Sequence, residues 1–331
     1  RIMEKAIVEQ YNDEIFHEII TKYGFAENKV RLLDGFESFI YECERDGREY
    51  ILRISHTGLR RSRQQLLAEM DYINYMSDHG VPAARAVPSL QGNMVEAADS
   101  NPLFAGALFE KAVGHPPKRE FWQPVFIQKY GETVGRMHRL TKSYVPGSGG
   151  LRLHGMHDLE GFAEKFLPPS EIEVITKWNH MLDYLRTLPK GIDEYGLIHQ
   201  DLHGGNFFVD DAGNMTIFDF DDSQYFWFSH DIAMCLFYVV PHDCVKREDL
   251  DNAGLFLKHF LTGYRRENQL DQRWISEIPT FLTLREMDLY IAIHRSMDLN
   301  DPDPWCASFM KNRKEKILHG VPYVNLDFSK F

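Results

Sequence analysis

Residues 198–209 read IHQDLHGGNFFV, and the next apolar segment runs from 217 to 234 as IFDFDDSQYFWFSHDIAM. Short hydrophobic runs of this kind belong in β-strands, yet the first is broken by two histidines, an aspartate, two glycines and an asparagine. A buried polar group that finds no partner costs about 1–3 kcal/mol. The density of such groups here marks a place where something is bound or made. Between the two runs, Asp210-Asp211-Ala212-Gly213-Asn214 has the composition of a turn, so the segments read as adjacent strands of a hairpin.

Upstream, VRLLDGFESFIYEC at 30–43 and REYILRIS at 48–55 read as strands with turns at Asp34-Gly35 and Asp46-Gly47, the second a strong hairpin signal. SRQQLLAEMDYINYMSDHG at 62–80 places Leu66, Met70, Ile73 and Met76 on one stripe of a helix that ends at Gly80. NMVEAAD and PLFAGALFE supply two more strands, and from about 116 onward the pattern is mostly helical apart from the hairpin. GHPP at 114–117 marks the boundary better than PGSGG at 146–150. The expected fold class is α+β. A small antiparallel β-lobe with one helix spans 1–110, a connector spans 111–115, and a larger, mainly helical lobe spans 116–331.

The chain has 331 residues, 44% hydrophobic and 26% charged, enough for one large domain or two lobes. No apolar run is long enough to cross a membrane and the RIMEKAIVEQ start lacks a signal-peptide pattern, so the expected location is the cytoplasm, with no membrane partner. A net charge of −12 argues against a nucleic-acid partner, because such affinity comes largely from Lys and Arg neutralising phosphates. Cys43, Cys235, Cys244 and Cys306 are widely spaced and read as reduced core residues. Oligomeric state is not legible.

The spacing His199-x-Asp201-x-x-x-x-Asn206, followed by Phe218-Asp219-Phe220, is the one phosphoryl transfer uses. One carboxylate orients the attacking hydroxyl and takes its proton, while an amide and a second carboxylate hold Mg²⁺ against the ATP phosphates. Asp219 can give a hard cation an anionic oxygen and Asn206 a neutral one, which leaves Asp201 for the acceptor. The two segments together resemble the aminoglycoside phosphotransferase-like kinases, small-molecule relatives of protein kinases. The acidic pair after the metal aspartate is most similar to the homoserine-kinase-like and stress-response Ser/Thr kinase branch.

That resemblance implies the bilobal protein-kinase-like fold and transfer of the ATP γ-phosphoryl group to a small-molecule hydroxyl, such as an amino alcohol, a sugar or an aminoglycoside. It places Arg53 at the α/β-phosphates and Glu69 as the carboxylate holding it. It puts the phosphate-covering loop at 34–39, around Glu37 and Ser38, and the adenine edge against the backbone of Glu110 and Ala112. Asp231 becomes the anchor of the catalytic loop.

His199 and His203 read as loop supports rather than catalysts, and His138 as a packed side chain. Asp221 and Asp222 read either as a solvated turn or as metal or acceptor contacts. Arg60, Arg61 and Arg63 read as a solvated first helical turn rather than a phosphate site. Tyr225 and Trp227 lie in YFWF at 225–228, which suits core packing or a wall for a cationic acceptor. Further acceptor candidates are Asp158, Glu286 and Asp288, with Glu160, Glu164 and Trp305 behind them. Three alternatives stand beside this reading: a Ser/Thr protein kinase of the same fold, a non-catalytic pseudokinase, and a metal-dependent hydrolase. The last needs His199, Asp201 and His203 on one face of an extended strand, joined by His154 and His157, and leaves Asn206 and Asp219 unused.

Overall fold

The computed structural model describes residues 5–331 apart from 34, 36–37, 59–60, 148–151, 153–154, 243 and 245. The chain divides into two compact units. The first comprises 1–115, 144–152 and 207–221; the second comprises 116–143, 153–206 and 222–331.

The first unit is built on a six-stranded antiparallel sheet in the order β1-β2-β3-β6-β4, with β5 also paired to β6. Its strands are β1 (Val30–Leu33), β2 (Phe39–Arg45), β3 (Arg48–His56), β4 (Ala86–Val87), β5 (Val95–Ala97) and β6 (Phe104–Glu110). The β2–β3 hairpin turns on Asp46 and Gly47, both at positive φ (54° and 71°), the left-handed pair that the Asp-Gly signal calls for. Helices α1 (Lys5–Val8) and α2 (Asp13–Lys22) precede the sheet. Ile15, Ile19 and Ile20 of α2 are buried with Leu52, Ile54, Phe104 and Leu108 in the core. Helix α3 (Arg63–Asp78) starts at a reciprocal cap: the Ser62 hydroxyl accepts from the Gln65 N–H, and the Gln65 side chain accepts from the Ser62 N–H.

The second unit is mainly helical. It carries α4 (Pro124–Thr141), α5 (Gly155–Leu159), α6 (Phe162–Phe166), α7 (Ile172–Thr187), α8 (Phe228–Phe237), α9 (Arg247–Tyr264), α10 (Gln272–Ser276), α11 (Ile278–Ser296), α12 (Pro304–Met310) and α13 (Arg313–His319). Helices α4 and α9 cross backbone against backbone. A Cβ on Gly131 would lie 1.9 Å from the Phe260 carbonyl oxygen, and one on Gly263 would lie 1.8 Å from that of Gln128. Only glycine allows this approach. Strand β7 (Tyr195–Ile198) pairs antiparallel with β10 (Gln224–Trp227), and α8 is buried along its whole length.

Neither unit is continuous in sequence, since the first also takes 144–152 and 207–221. Strands β8 (Phe207–Val209) and β9 (Met215–Ile217) form the expected hairpin, and backbone hydrogen bonds tie it to the first unit. Val209 exchanges bonds with His115, while Ile217 receives one from Ala84 and donates one to Pro82. Among the described residues no helix is long and apolar enough to cross a membrane. All four cysteines are free and buried.

Candidate active site

In the first unit, alternation along β3 points Tyr50, Leu52 and Ile54 into one face and Arg53 into the other. Glu69 falls on the buried stripe of α3 beside Leu66, Met70 and Ile73. The two side chains meet as a two-armed pair, Nη1 to Oε1 at 3.0 Å and Nη2 to Oε2 at 2.6 Å, with relative exposures of 7% and 0%. Burial disfavours the charge on Arg53, but the carboxylates of Glu69, Asp221 and Asp219 outweigh it and hold the guanidinium above its ordinary value. Asp219 Oδ1 lies 4.0 Å from Arg53 Nη1. Asp219 follows the β9 strand in a left-handed conformation (φ 62°) with its side chain about half exposed, while the next residue, Phe220, is fully buried. Burial of Phe220 fixes the backbone, and that turn presents the Asp219 carboxylate outward.

Two arginines hold the segment after Asp219. Arg61 Nε donates to the Asp221 carbonyl (3.1 Å). Arg152, 6% exposed, donates to the carbonyls of Phe220 (3.2 Å), Asp221 (2.6 Å) and Gln65 (3.2 Å). Arg152 therefore fastens the Asp219 turn to the first turn of α3, the helix that carries Glu69. Sequence reading missed it, because no local pattern announces an arginine whose partners are distant carbonyls. The solvated reading of Arg61 is corrected: its side chain is 11% exposed and faces Asp221. Asp221 is likewise held from within its own unit.

Of the expected phosphate loop, Glu37 lies outside the described residues, as does Asp34. The Ser38 hydroxyl lies 2.9 Å from that of Ser55. A Cβ on Gly35 would come within 2.1 Å of the Ser38 carbonyl oxygen, so the turn requires this glycine although the loop has only one. At the expected adenine edge, the Glu110 N–H donates to the Arg85 carbonyl (2.8 Å). That bond occupies the Glu110 N–H. Ala112 is buried.

In the second unit the loop 199–206 is not a strand: Gln200 has φ 77°, which breaks the alternation. The hydrolase reading loses its strand with it: His199 Nδ1 accepts from the Asp201 N–H (3.4 Å), and among the described residues no group of three His, Cys, Asp or Glu side chains could hold a metal ion; His154 lies outside the described residues. The loop is hung on Asp231, at the start of α8. Its carboxylate accepts from the His199 N–H (3.1 Å) and the Gln200 N–H (2.8 Å). Behind it, His138 Nε2 lies 3.1 Å from Asp231 Oδ2, and His138 Nδ1 lies 2.9 Å from the Tyr264 hydroxyl, which accepts from Asn268 (2.8 Å). An anionic acceptor places the histidine proton on Nε2, so Nδ1 accepts from Tyr264. Burial alone would raise the Asp231 pKa, but the His138 hydrogen bond, the His138 and His199 rings and the Gln200 N–H bring it below the ordinary carboxylate value. Tyr130 completes the suspension by donating to the Leu202 carbonyl (2.7 Å).

The suspended loop presents Asp201. Asn206 Nδ2 donates to the Asp201 carbonyl (2.7 Å) and to Oδ2 (3.1 Å), which leaves the Asn206 side-chain oxygen as a neutral ligand. His203 Nδ1 accepts from the Gly205 N–H, and its Nε2 lies 3.5 Å from Asp201 Oδ2. On the other carboxylate oxygen, Oδ1, Arg285 of α11 approaches to 3.5 Å. Arg285 is the second residue that sequence reading missed.

Several acceptor candidates are relocated. Glu286 is committed to Arg313 at 2.6 Å, with both side chains 1% exposed. Trp227 is fully buried and donates to the Pro189 carbonyl, which settles YFWF as core at that position. Asp288 is bound to Arg285 at 2.6 Å. Asp222 and Tyr225 are partly buried and Asp158 is exposed.

A family model described as the phosphotransferase enzyme family (APH) matches residues 29–269. The chain belongs to that family. It is 36% identical over 325 residues to the amicoumacin kinase of Bacillus subtilis (strain 168), covering 96% of each chain. Among solved structures, this phosphotransferase is similar to the amicoumacin kinase hAmiN in complex with AMP-PNP, Ca²⁺ and Ami, with a TM-score of 0.91, 34% identity and 99% of each chain covered. The microcompartment-associated aminopropanol kinase shares the fold, with a TM-score of 0.73 at 20% identity over 93% of this chain and 98% of that one. This family member is an ATP-dependent phosphotransferase whose acceptor is a small-molecule hydroxyl.

Proposed function

We propose that this phosphotransferase moves the γ-phosphoryl group of Mg-ATP to a hydroxyl of amicoumacin or of a small molecule closely resembling it. Similarity to amicoumacin kinases along nearly the full chain supports the choice of acceptor. The observation that carries the chemistry is the suspended carboxylate of Asp201, whose backbone is fixed through Asp231 and whose Oδ2 is fixed by Asn206. Asp201 orients the acceptor hydroxyl and takes its proton as the new P–O bond forms and the bond from the γ-phosphorus to the bridging oxygen breaks, with ADP as the leaving group. Arg53, held by Glu69, binds phosphate oxygens; Ser38 and the backbone of its loop add neutral donors. Ala112 supplies the backbone at the adenine. Asn206 and Asp219 would hold the divalent cation, which neutralises charge on the phosphates. Transfer of this kind depends on positioning and charge stabilisation more than on base strength.

The test is ADP release with Mg-ATP across amicoumacin, aminopropanol, choline, spectinomycin and a generic protein acceptor, with Asp201→Asn alongside. Amicoumacin-dependent release that falls by roughly 10³-fold or more in Asp201→Asn, with Mg-ATP binding retained, is the expected result. Turnover of another acceptor in preference to amicoumacin would reassign the substrate. Full activity in Asp201→Asn would remove Asp201 from the mechanism.

A further inference from the structure

The guanidinium of Arg285 is held by two short bonds and one long one. Nη1 lies 2.6 Å from Asp288 Oδ2, Nη2 lies 2.6 Å from the Tyr238 hydroxyl, and Nη2 lies 3.5 Å from Asp201 Oδ1. Its Nε is buried with no hydrogen-bond partner among the described residues. The His203 ring lies against Tyr238 (centroids 4.5 Å apart) and itself faces Asp201, so the arginine and the loop share one wall. An arginine cannot give up its charge at any working pH, so the carboxylate of Asp201 always has a cation beside it.

A fixed cation is a good neighbour for a carboxylate whose task is to hold a hydroxyl in place. The short bonds to Asp288 and Tyr238 fix the guanidinium, and the long bond to Asp201 Oδ1 restrains that oxygen only loosely. With Asn206 on Oδ2 and Arg285 toward Oδ1, the carboxylate is restrained from both ends. A cation at this point also offsets the repulsion that a bare carboxylate would exert on anionic phosphates.

We infer that Arg285 is a positioning residue for Asp201, and that Asp288 and Tyr238 serve the reaction by aiming Arg285 rather than by touching the acceptor. The inference rests on the proposed role of Asp201. A purely structural Arg285 would tie α11 to the residue after α8 and nothing more. The two roles separate in the kinetics, because a positioning residue acts on kcat while a structural tie acts on stability and on all binding steps together.

The experiment compares Arg285→Met, Arg285→Lys and Tyr238→Phe in the full chain, with Asp201→Asn as reference. Steady-state kinetics use Mg-ATP and amicoumacin, or whichever acceptor of the panel above is turned over fastest. Nucleotide affinity is read separately with a fluorescent ATP analogue, and folding by thermal melting. Arg285→Met is expected to lower kcat by roughly 10–100-fold, with nucleotide affinity and acceptor KM within about threefold of the parent. Arg285→Lys is expected to recover part of the loss, since a point charge cannot reach Asp288 and Asp201 in the same two-armed geometry. Should Arg285→Met not fold, Arg285→Lys and Tyr238→Phe decide: both are expected to lower kcat at constant nucleotide affinity. A kcat within about threefold of the parent in every folded variant, or losses that track melting temperature and nucleotide affinity, would overturn the inference. If Asp201→Asn is inactive while Arg285→Met is not, only this inference falls. If Asp201→Asn is active, the base assignment falls and takes the inference with it.

Discussion

At Arg53 and Glu69 the choice of side chains follows from geometry as much as from charge. The pair is two-armed and nearly sealed from solvent, which a guanidinium satisfies and an ammonium does not. Removing one partner of a buried pair leaves the other charge stranded, at about 3–5 kcal/mol. Glu69→Gln keeps the shape and one acceptor but loses the countercharge. It is expected to lower the unfolding free energy by about 2–4 kcal/mol in a urea titration and to weaken nucleotide binding. A stability within the error of the parent would mean that Arg53 finds its countercharge in Asp219 or Asp221 instead. The family resemblance, not periodicity, singled out Arg53 in YILRIS and Glu69 beside the α3 stripe as a pair. Arg152 and Arg285 were not singled out, because Arg152 binds distant carbonyls and Arg285 reaches Tyr238 and Asp201 from far away in sequence.

The elements do most of the work of orientation. Helix α3 begins where its Ser62 cap demands, β2 and β3 turn at Asp46-Gly47, and β8 and β9 turn at the Asp210–Asn214 segment, each from residues within a few positions. The Asp219 turn is different. Its left-handed backbone is unfavourable for a residue with a Cβ and persists because the surroundings hold it. Arg152 is the principal hold, through the Phe220 and Asp221 carbonyls. Arg152→Met is therefore expected to weaken metal-dependent nucleotide binding by roughly tenfold, while binding measured with excess chelator changes little. A titration with the fluorescent nucleotide, with and without Mg²⁺, checks this. An equal loss in both conditions would assign Arg152 to the general fold of its unit.

For the molecule as a whole, buried titratable groups set the acid limit. His230 is 3% exposed, packs against Phe226 and Phe281, and has no hydrogen-bond partner on either ring nitrogen among the described residues. Burial lowers its pKa from 6.5 to about 4, against the opposing pull of Asp231. The unfolded chain then binds a proton that the folded one refuses. The stability this confers is complete above pH 6.5 and is lost as pH falls through the window toward 4, by about 3 kcal/mol in all. Asp231, whose folded pKa is also depressed, adds its own loss at still lower pH. The expected outcome is a urea midpoint that drops between pH 6.5 and 4 in the parent and drops less in His230→Phe; equal slopes would exclude His230 as the cause. Local patterning was enough to specify the α+β class and the hairpins, and the spacing of Asp201, Asn206 and Asp219 pointed to phosphotransfer, because each depends on residues a turn or a strand apart. Which carboxylates are sealed in the core and which stand beside Asp201 was decided by tertiary structure alone. Glu286 and Asp288 look alike on α11, but one meets Arg313 in the core and the other meets Arg285 beside Asp201. A charge's function depends on the partners that folding brings to it, and Arg313 and Asp201 come to this helix from 27 and 84 residues away.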